Sequence, residues 1–150
     1  MSARDYNTIA TQMPTSGTRQ ERMERTIEVL WAKLKDTGVS WVGFYLHEGR
    51  DELALGPREP TPACSPIELH GACGCTFTNR RPLVIYDVRE LKDEYIACDP
   101  RDRSEVVVPL LEPDGTCWGV LDLDSHDVAS FDRDDVRGLE QVLKAAGLTH

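Results

Sequence analysis

Residues 105–124, EVVVPLLEPDGTCWGVLDLD, hold two apolar, strand-like runs around a turn. Glu105 to Leu111 and Thr116 to Asp124 are separated by EPDG, whose Asp114-Gly115 step readily takes the positive φ angles of a tight hairpin. Two adjacent antiparallel strands are therefore expected. Counting back from a turn centred on Asp114 sets Glu105 opposite Asp122 or Asp124, according to where the turn falls. Asp122 and Asp124 are two apart and share a face, while Leu121 and Leu123 point the other way, into the core. Three carboxylates thus converge. Facing like charges cost a sheet some tenths to about 1 kcal/mol per pair unless something positive lies between them. A solvated acidic strand end is the plain alternative. Against it, the two Asp residues interrupt an otherwise apolar strand, and Cys98 lies seven residues before Glu105. A divalent metal and the ammonium group of a small ligand both fit such a cluster.

Working outward, residues 40–47, SWVGFYLH, alternate so that Val42, Phe44 and Leu46 share one side and Trp41, Gly43 and Tyr45 the other, which predicts a strand with two apolar faces. Trp41 and Tyr45 could cover an ammonium group by cation-π contact, or could simply pack in the core. The turn EGRD and the run ELAL continue as a hairpin. GPREPTPAC, residues 56–64, is too rich in proline for a central strand and leaves Cys64 at a loop or strand edge. Gly71 to Asn79 is expected as a short helix, and Pro82 to Asp87 as a buried strand before a polar loop to Cys98.

The ends are helical. Thr18 with Glu21 forms a capping box, Met23, Ile27, Leu30, Trp31 and Leu34 make one apolar face, and Gly38 stops the helix. Near the C-terminus Asp132 caps a second amphipathic helix that turns Val136, Leu139 and Leu143 inward. Residues 1–17 carry no clear period and read as a flexible arm ahead of a domain over 18–150. The expected architecture is α+β, a central antiparallel sheet of about six strands flanked by N- and C-terminal helices.

With 150 residues, 40% of them hydrophobic, the chain supports one core and one domain. A net charge of -9 argues against nucleic acid, since the chain has no basic excess with which to displace counterions from phosphates. No apolar run reaches membrane-spanning length, and the N-terminal residues lack the apolar segment of a secretory signal, so the cytoplasm is the expected compartment. The five cysteines then read as thiols rather than a disulfide framework. None forms a Cys-x-x-Cys pair and no His stands at ligand spacing beside them, so no metal is expected, and His47, His70, His126 and His150 receive no role. Cys117, beside Trp118 on a strand, reads as core; Cys75 carries no assignment.

The string YIACDPRDRSEVVVPL (95–110) followed by GVLDLDS (119–125), with WVGFYL and LALGP earlier, resembles the free methionine-(R)-sulfoxide reductases, which are built on the GAF fold. The likeness runs from about Trp41 to the closing helix. Many GAF domains carry something like GVLDL, but few combine it with IACD, with SE before the strand, and with cysteines in PAC and GAC. The resemblance implies that Cys98 is the catalytic cysteine, Cys64 the main resolving cysteine and Cys73 the third cysteine of the site. It places Glu105, Asp122 and Asp124 on the acidic residues that hold and help protonate the substrate, and Trp41 and Tyr45 on the aromatic side of its pocket. REPTP (58–62) stands where the family has PFQGK, the segment SPIELHGA (65–72) is a residue shorter and lacks the family's GRG, and Cys75 is an addition.

The chemistry implied is attack by a sulfur nucleophile on the sulfoxide while a nearby acid protonates the departing oxygen. Crowding raises the pKa of at least one carboxylate, which keeps a proton available. Attack would leave methionine and a sulfenic acid on Cys98, which Cys64, with Cys73 as substitute, condenses into a disulfide. Arg101 or Arg103 would offset the carboxylates and lower the Cys98 pKa. The expected partners are free methionine sulfoxide and a thioredoxin-like reductant fed by NADPH, with no bound cofactor and a homodimeric assembly. The plain reading of Cys98 is a buried inert thiol. A rival reading of the whole chain is a GAF sensory or small-molecule-binding module without turnover.

Overall fold

A computed structural model describes residues 4–91 and 99–150. In chain order these form α1 (Tyr6–Thr11), α2 (Arg19–Leu34), β1 (Val39–His47), β2 (Glu52–Glu59), β3 (Ile67–Glu68), α3 (Ala72–Asn79), β4 (Leu83–Ile85), a 3-10 turn (Val88–Glu90), β5 (Ser104–Leu111), β6 (Cys117–Ser125) and α4 (Arg133–Ala145). The strands make one sheet in the order β3-β2-β1-β6-β5-β4, antiparallel at every pairing. The α+β expectation of a six-stranded antiparallel sheet with helices at both ends holds.

Side-chain alternation divides the molecule into two layers. Val42 and Phe44 of β1, Val106, Val108 and Leu110 of β5, and Leu121 and Leu123 of β6 face the same way and pack with Leu30 and Leu34 of α2 and Leu139, Val142 and Leu143 of α4. The opposite face turns Trp41, Tyr45, Val107 and Val120 toward Ala72 and Cys73 of α3 in a smaller apolar cluster. Both long helices start as their sequences predict. Thr18 and Glu21 form a reciprocal capping box, and Asp132 accepts from the backbone N–H groups of Asp134 and Asp135.

Three expectations need correction. The flexible arm proposed for residues 1–17 contains a helix from Tyr6, capped by Asp5, with Tyr6, Ile9 and Met13 buried. Tyr6 Oη donates to Asp135 Oδ1 at 2.5 Å and Arg4 pairs with the same carboxylate at 3.0 Å, so the segment is tied to α4. A six-residue helix has too little periodicity to announce itself, and contact with α4 holds it. Next, β2 continues through Pro57 to Glu59. Its outer neighbour β3 pairs only with Glu52 and Leu53, and Gly56 and Pro57 stand against the single Phe44 in a bulge, where a missing N–H is tolerated. Lastly, the buried strand expected over Pro82–Asp87 is a three-residue edge strand, Leu83–Ile85, with Ile85 buried and Tyr86, just past its end, 51% exposed.

Candidate active site

The hairpin register decides between the two alternatives left by counting. Glu105 pairs with Asp124, and Asp122 stands opposite Val107 on one side and Gly43 on the other. All three carboxylates lie on the sheet face away from the long helices. Glu105 and Asp122 are each only 4% exposed, and Asp124 is partly open at the mouth. They line a cavity of about 30 Å³ together with Trp41, Tyr45, Ala63, Ile67, Ala72, Cys73 and Asp102.

Its aromatic wall also holds its roof. Trp41 lies over Gly43, where a Cβ would come within 2.2 Å of the indole. The indole Nε1 donates to the Thr61 carbonyl at 2.8 Å, and Tyr45 Oη donates to the Cys64 carbonyl at 2.8 Å. The same aromatic pair therefore lines the cavity and fixes the Thr61–Cys64 loop over it. Ser65 Oγ accepts from Leu55 N–H at 2.9 Å and anchors the loop from the other side. Cys64 is exposed and disulfide-bonded, whereas Cys73, Cys75 and Cys117 are free thiols. Cys117 is buried on β6, as its strand position predicts.

On the opposite wall α3 brings Cys73 against the carboxylates. Gly74 makes this possible, because a Cβ there would fall 2.2 Å from the Leu69 backbone. The buried Cys73 thiol is hydrogen-bonded to Asp122. Burial, followed by the Asp122 charge, pushes this thiol well above the usual cysteine range. The carboxylates are pushed the same way. Burial comes first for each, followed by the Asp124 charge for Glu105, the Glu105 charge for Asp122 and the Asp122 charge for Asp124. Glu105 shares hydrogen bonds with Asp122 and Asp124, while Glu105 Oε1, Asp122 Oδ1 and Asp124 Oδ1 are buried and receive none from an N–H or hydroxyl donor among the described residues outside this acidic group. Buried acceptors of this kind lack a donor, which is what a cationic or N–H-bearing ligand supplies.

Sequence reasoning missed a fourth carboxylate. Asp102, 5% exposed, lines the cavity from a loop, and its pKa is raised to about 6 by burial and then by the Asp99 charge. Nothing periodic marks a loop residue; the turn Asp102 N–H to Asp99 carbonyl, 3.1 Å, and the bond from Arg103 N–H to the Ser125 carbonyl, 2.8 Å, bring it in. At the mouth His126 Nε2 approaches Asp99 at 3.3 Å and Asp102 at 3.9 Å, so this histidine does have a place near the site. Arg101 is spent on Asp99, with Nη2 to Oδ2 at 3.0 Å, and this pairing holds Asp99 low, at about 2. Arg103 donates to the Pro100 and Asp102 carbonyls. Cys98 lies outside the described residues. Among the described residues, two groups of side chains offer ligand atoms within 4.8 Å of one another: Cys73, Glu105 and Asp122 in the cavity, and Asp99, Asp102 and His126 at its mouth.

A GAF-domain family model matches residues 20–149. The free methionine-R-sulfoxide reductase of Saccharomyces cerevisiae is 35% identical over 121 residues, covering 77% of this chain and 67% of the yeast protein. This chain is a GAF domain of the free methionine-R-sulfoxide reductase family. Among solved structures, a Staphylococcus aureus fRMsr in complex with substrate has 31% identity and a TM-score of 0.87 over 100% of this chain and 99% of that one. The free methionine-R-sulfoxide reductase of Neisseria meningitidis, solved in complex with its substrate, has 34% identity and a TM-score of 0.80 over 96% and 87% of the two chains. Within this family member the cavity above occupies the face of the GAF sheet opposite its long helices.

Proposed function

We propose that the chain reduces free L-methionine-(R)-sulfoxide to methionine, with Cys98 as nucleophile. The observation that carries this reading is the cavity, with three carboxylates that each turn a buried oxygen without an N–H or hydroxyl donor inward, an aromatic wall and a loop bearing Cys64 fastened above it. An α-ammonium group supplies the missing donors and the missing positive charge together. A protonated carboxyl of the Glu105–Asp122–Asp124 group, favoured by the raised pKa values, delivers a proton to the sulfoxide oxygen as the Cys98 sulfur attacks the sulfoxide sulfur. The hydroxyl passes from the substrate sulfur to the Cys98 sulfur as the S–O bond and the new bond between the two sulfurs break, so methionine leaves and Cys98 is left as a sulfenic acid. Cys64 then condenses with it, releasing water and forming a disulfide, with Cys73 as the substitute thiol.

A thioredoxin-like dithiol, recharged from NADPH, reopens the disulfide by exchange and becomes oxidised in its place. No bound cofactor is needed for these steps. We place the enzyme in the cytoplasm as a homodimer; among the described residues no helix is long and apolar enough to cross a membrane. The test is thioredoxin-coupled NADPH oxidation with free L-methionine-(R)-sulfoxide, run on the protein and on Cys98→Ser. Turnover in the first and none in the second is expected. No turnover in either, with thiols reduced, would favour a GAF binding module instead.

A further inference from the structure

We propose that the same cavity is a binding site for a thiophilic divalent cation of the zinc class, held by Cys73, Glu105 and Asp122. The inference goes beyond the reductase reading and does not depend on it. One ligand atom from each residue lies within 4.8 Å of the other two. A tetrahedral ion with bonds of 2.0–2.3 Å needs its ligands about 3.5 Å apart, so closing the site takes side-chain adjustments of the order of 1 Å. All three residues are buried, and they come from three different elements, α3, β5 and β6, packed against one another.

A second observation points to a ligand at the same place. Glu105 Oε1 and Asp122 Oδ1 are enclosed and receive no hydrogen bond from outside the Cys73–Glu105–Asp122–Asp124 group, both residues are only 4% exposed, and both line the cavity. A neutral ligand leaves these carboxyls to relieve their repulsion by holding protons, whereas a divalent cation takes the place of those protons. One sulfur with two carboxylate oxygens selects a borderline ion such as zinc over magnesium or calcium, which prefer oxygen alone. On binding, the S–H bond of Cys73 and the O–H bond of any protonated Glu105 or Asp122 carboxyl break, the protons pass to solvent, and the sulfur and the carboxylate oxygens bond the metal; no electron is transferred. Three protein ligands leave a fourth position open toward the cavity, beneath Trp41 and Tyr45. An ion seated there occupies the space a small ligand needs, so metal and ligand exclude each other.

Cobalt(II) is the probe, because a sulfur-to-cobalt charge-transfer band reports thiolate ligation without any turnover. It is titrated into protein in the state of this structure, with Cys64 disulfide-bonded and Cys73 free. We expect one equivalent bound with a charge-transfer band, loss of that band in Cys73→Ser and its retention in Cys75→Ser. Glu105→Gln, which keeps the shape of the cavity, is expected to bind cobalt at least about tenfold more weakly, and carries the test if Cys73→Ser does not fold. No band in the wild-type protein, an unchanged band in Cys73→Ser, or unchanged affinity in Glu105→Gln would each overturn the proposal. None of these readouts involves sulfoxide reduction, so failure here and failure of the reductase reading are separately visible.

Discussion

Glu105 shows how much a single residue's surroundings decide. Its carboxyl is buried away from water and crowded by Asp124 and Asp122, and the cost of charging it there favours the protonated form. Glu105→Gln is expected to lower kcat/KM for free methionine sulfoxide by roughly 10²- to 10⁴-fold, the usual scale for a general acid, in the coupled assay. Asp102 acts on stability instead. Its folded pKa of about 6 lies above the usual 3.8, so the folded state binds this proton more tightly than the unfolded chain. Stability contributed by the protonated form is fully present below about pH 4 and lost as the pH rises through 6. Asp102→Asn should therefore raise Tm at pH 7–8 and change it little at pH 4, measured by thermal unfolding across that range. The Tyr45 hydroxyl has a separate part, holding the Cys64 carbonyl. Tyr45→Phe gives up about 1 kcal/mol of loop anchoring. We expect methionine release in a single turnover to stay near the wild-type rate while disulfide formation slows about fivefold, which rapid quench and thiol counting would separate.

Among the elements, α3 and α1 are held by close backbone approach. Gly74 lets α3 lie against Leu69, and Gly138 in α4 receives the Tyr6 ring, where an added Cβ would stand 2.1 Å from Tyr6 Cδ2. Gly138→Ala forces α1 away and should cost about 1–3 kcal/mol in denaturant unfolding, the scale of overpacking a filled core. Gly74→Ala has a larger reach, since the atom it meets is backbone. It shifts Cys73 along with the helix, so both stability and cobalt binding should fall together. Removing residues 1–13 exposes the surfaces that Tyr6, Ile9 and Met13 cover, at about 1.5–3 kcal/mol for each buried side chain, a large part of the 5–15 kcal/mol typical of a domain.

For the whole molecule, one sheet separates two tasks. The face under α2 and α4 carries the larger apolar cluster and most of the packing; the face under α3 gives up close packing for a cavity with four carboxylates. A protein with a net charge of -9 that also buries acids pays a folding penalty which a cationic ligand relieves. Free methionine at about a hundred times its Kd should stabilise the chain by about 2.7 kcal/mol, seen as a saturable rise in Tm. That rise should shrink as the pH falls through the raised pKa values of the cluster, because protonated carboxyls no longer hold the ammonium group.

Local chemistry was enough for much of this. Asp114-Gly115 and the alternation on both sides of it specify the hairpin, and with it the convergence of Glu105, Asp122 and Asp124; Thr18, Glu21 and Asp132 specify where two helices start. These signals lie within a few residues of what they control. The choice of Asp124 rather than Asp122 as the partner of Glu105 needed the register of the closed sheet. The entry of Asp102, the seat of Cys73 beside Asp122, the double duty of Trp41 and Tyr45, and the burial of α1 also came only with tertiary structure. Each of these joins segments distant in sequence, through burial and hydrogen bonds that have no local periodicity, and such contacts exist only once the sheet and helices have packed.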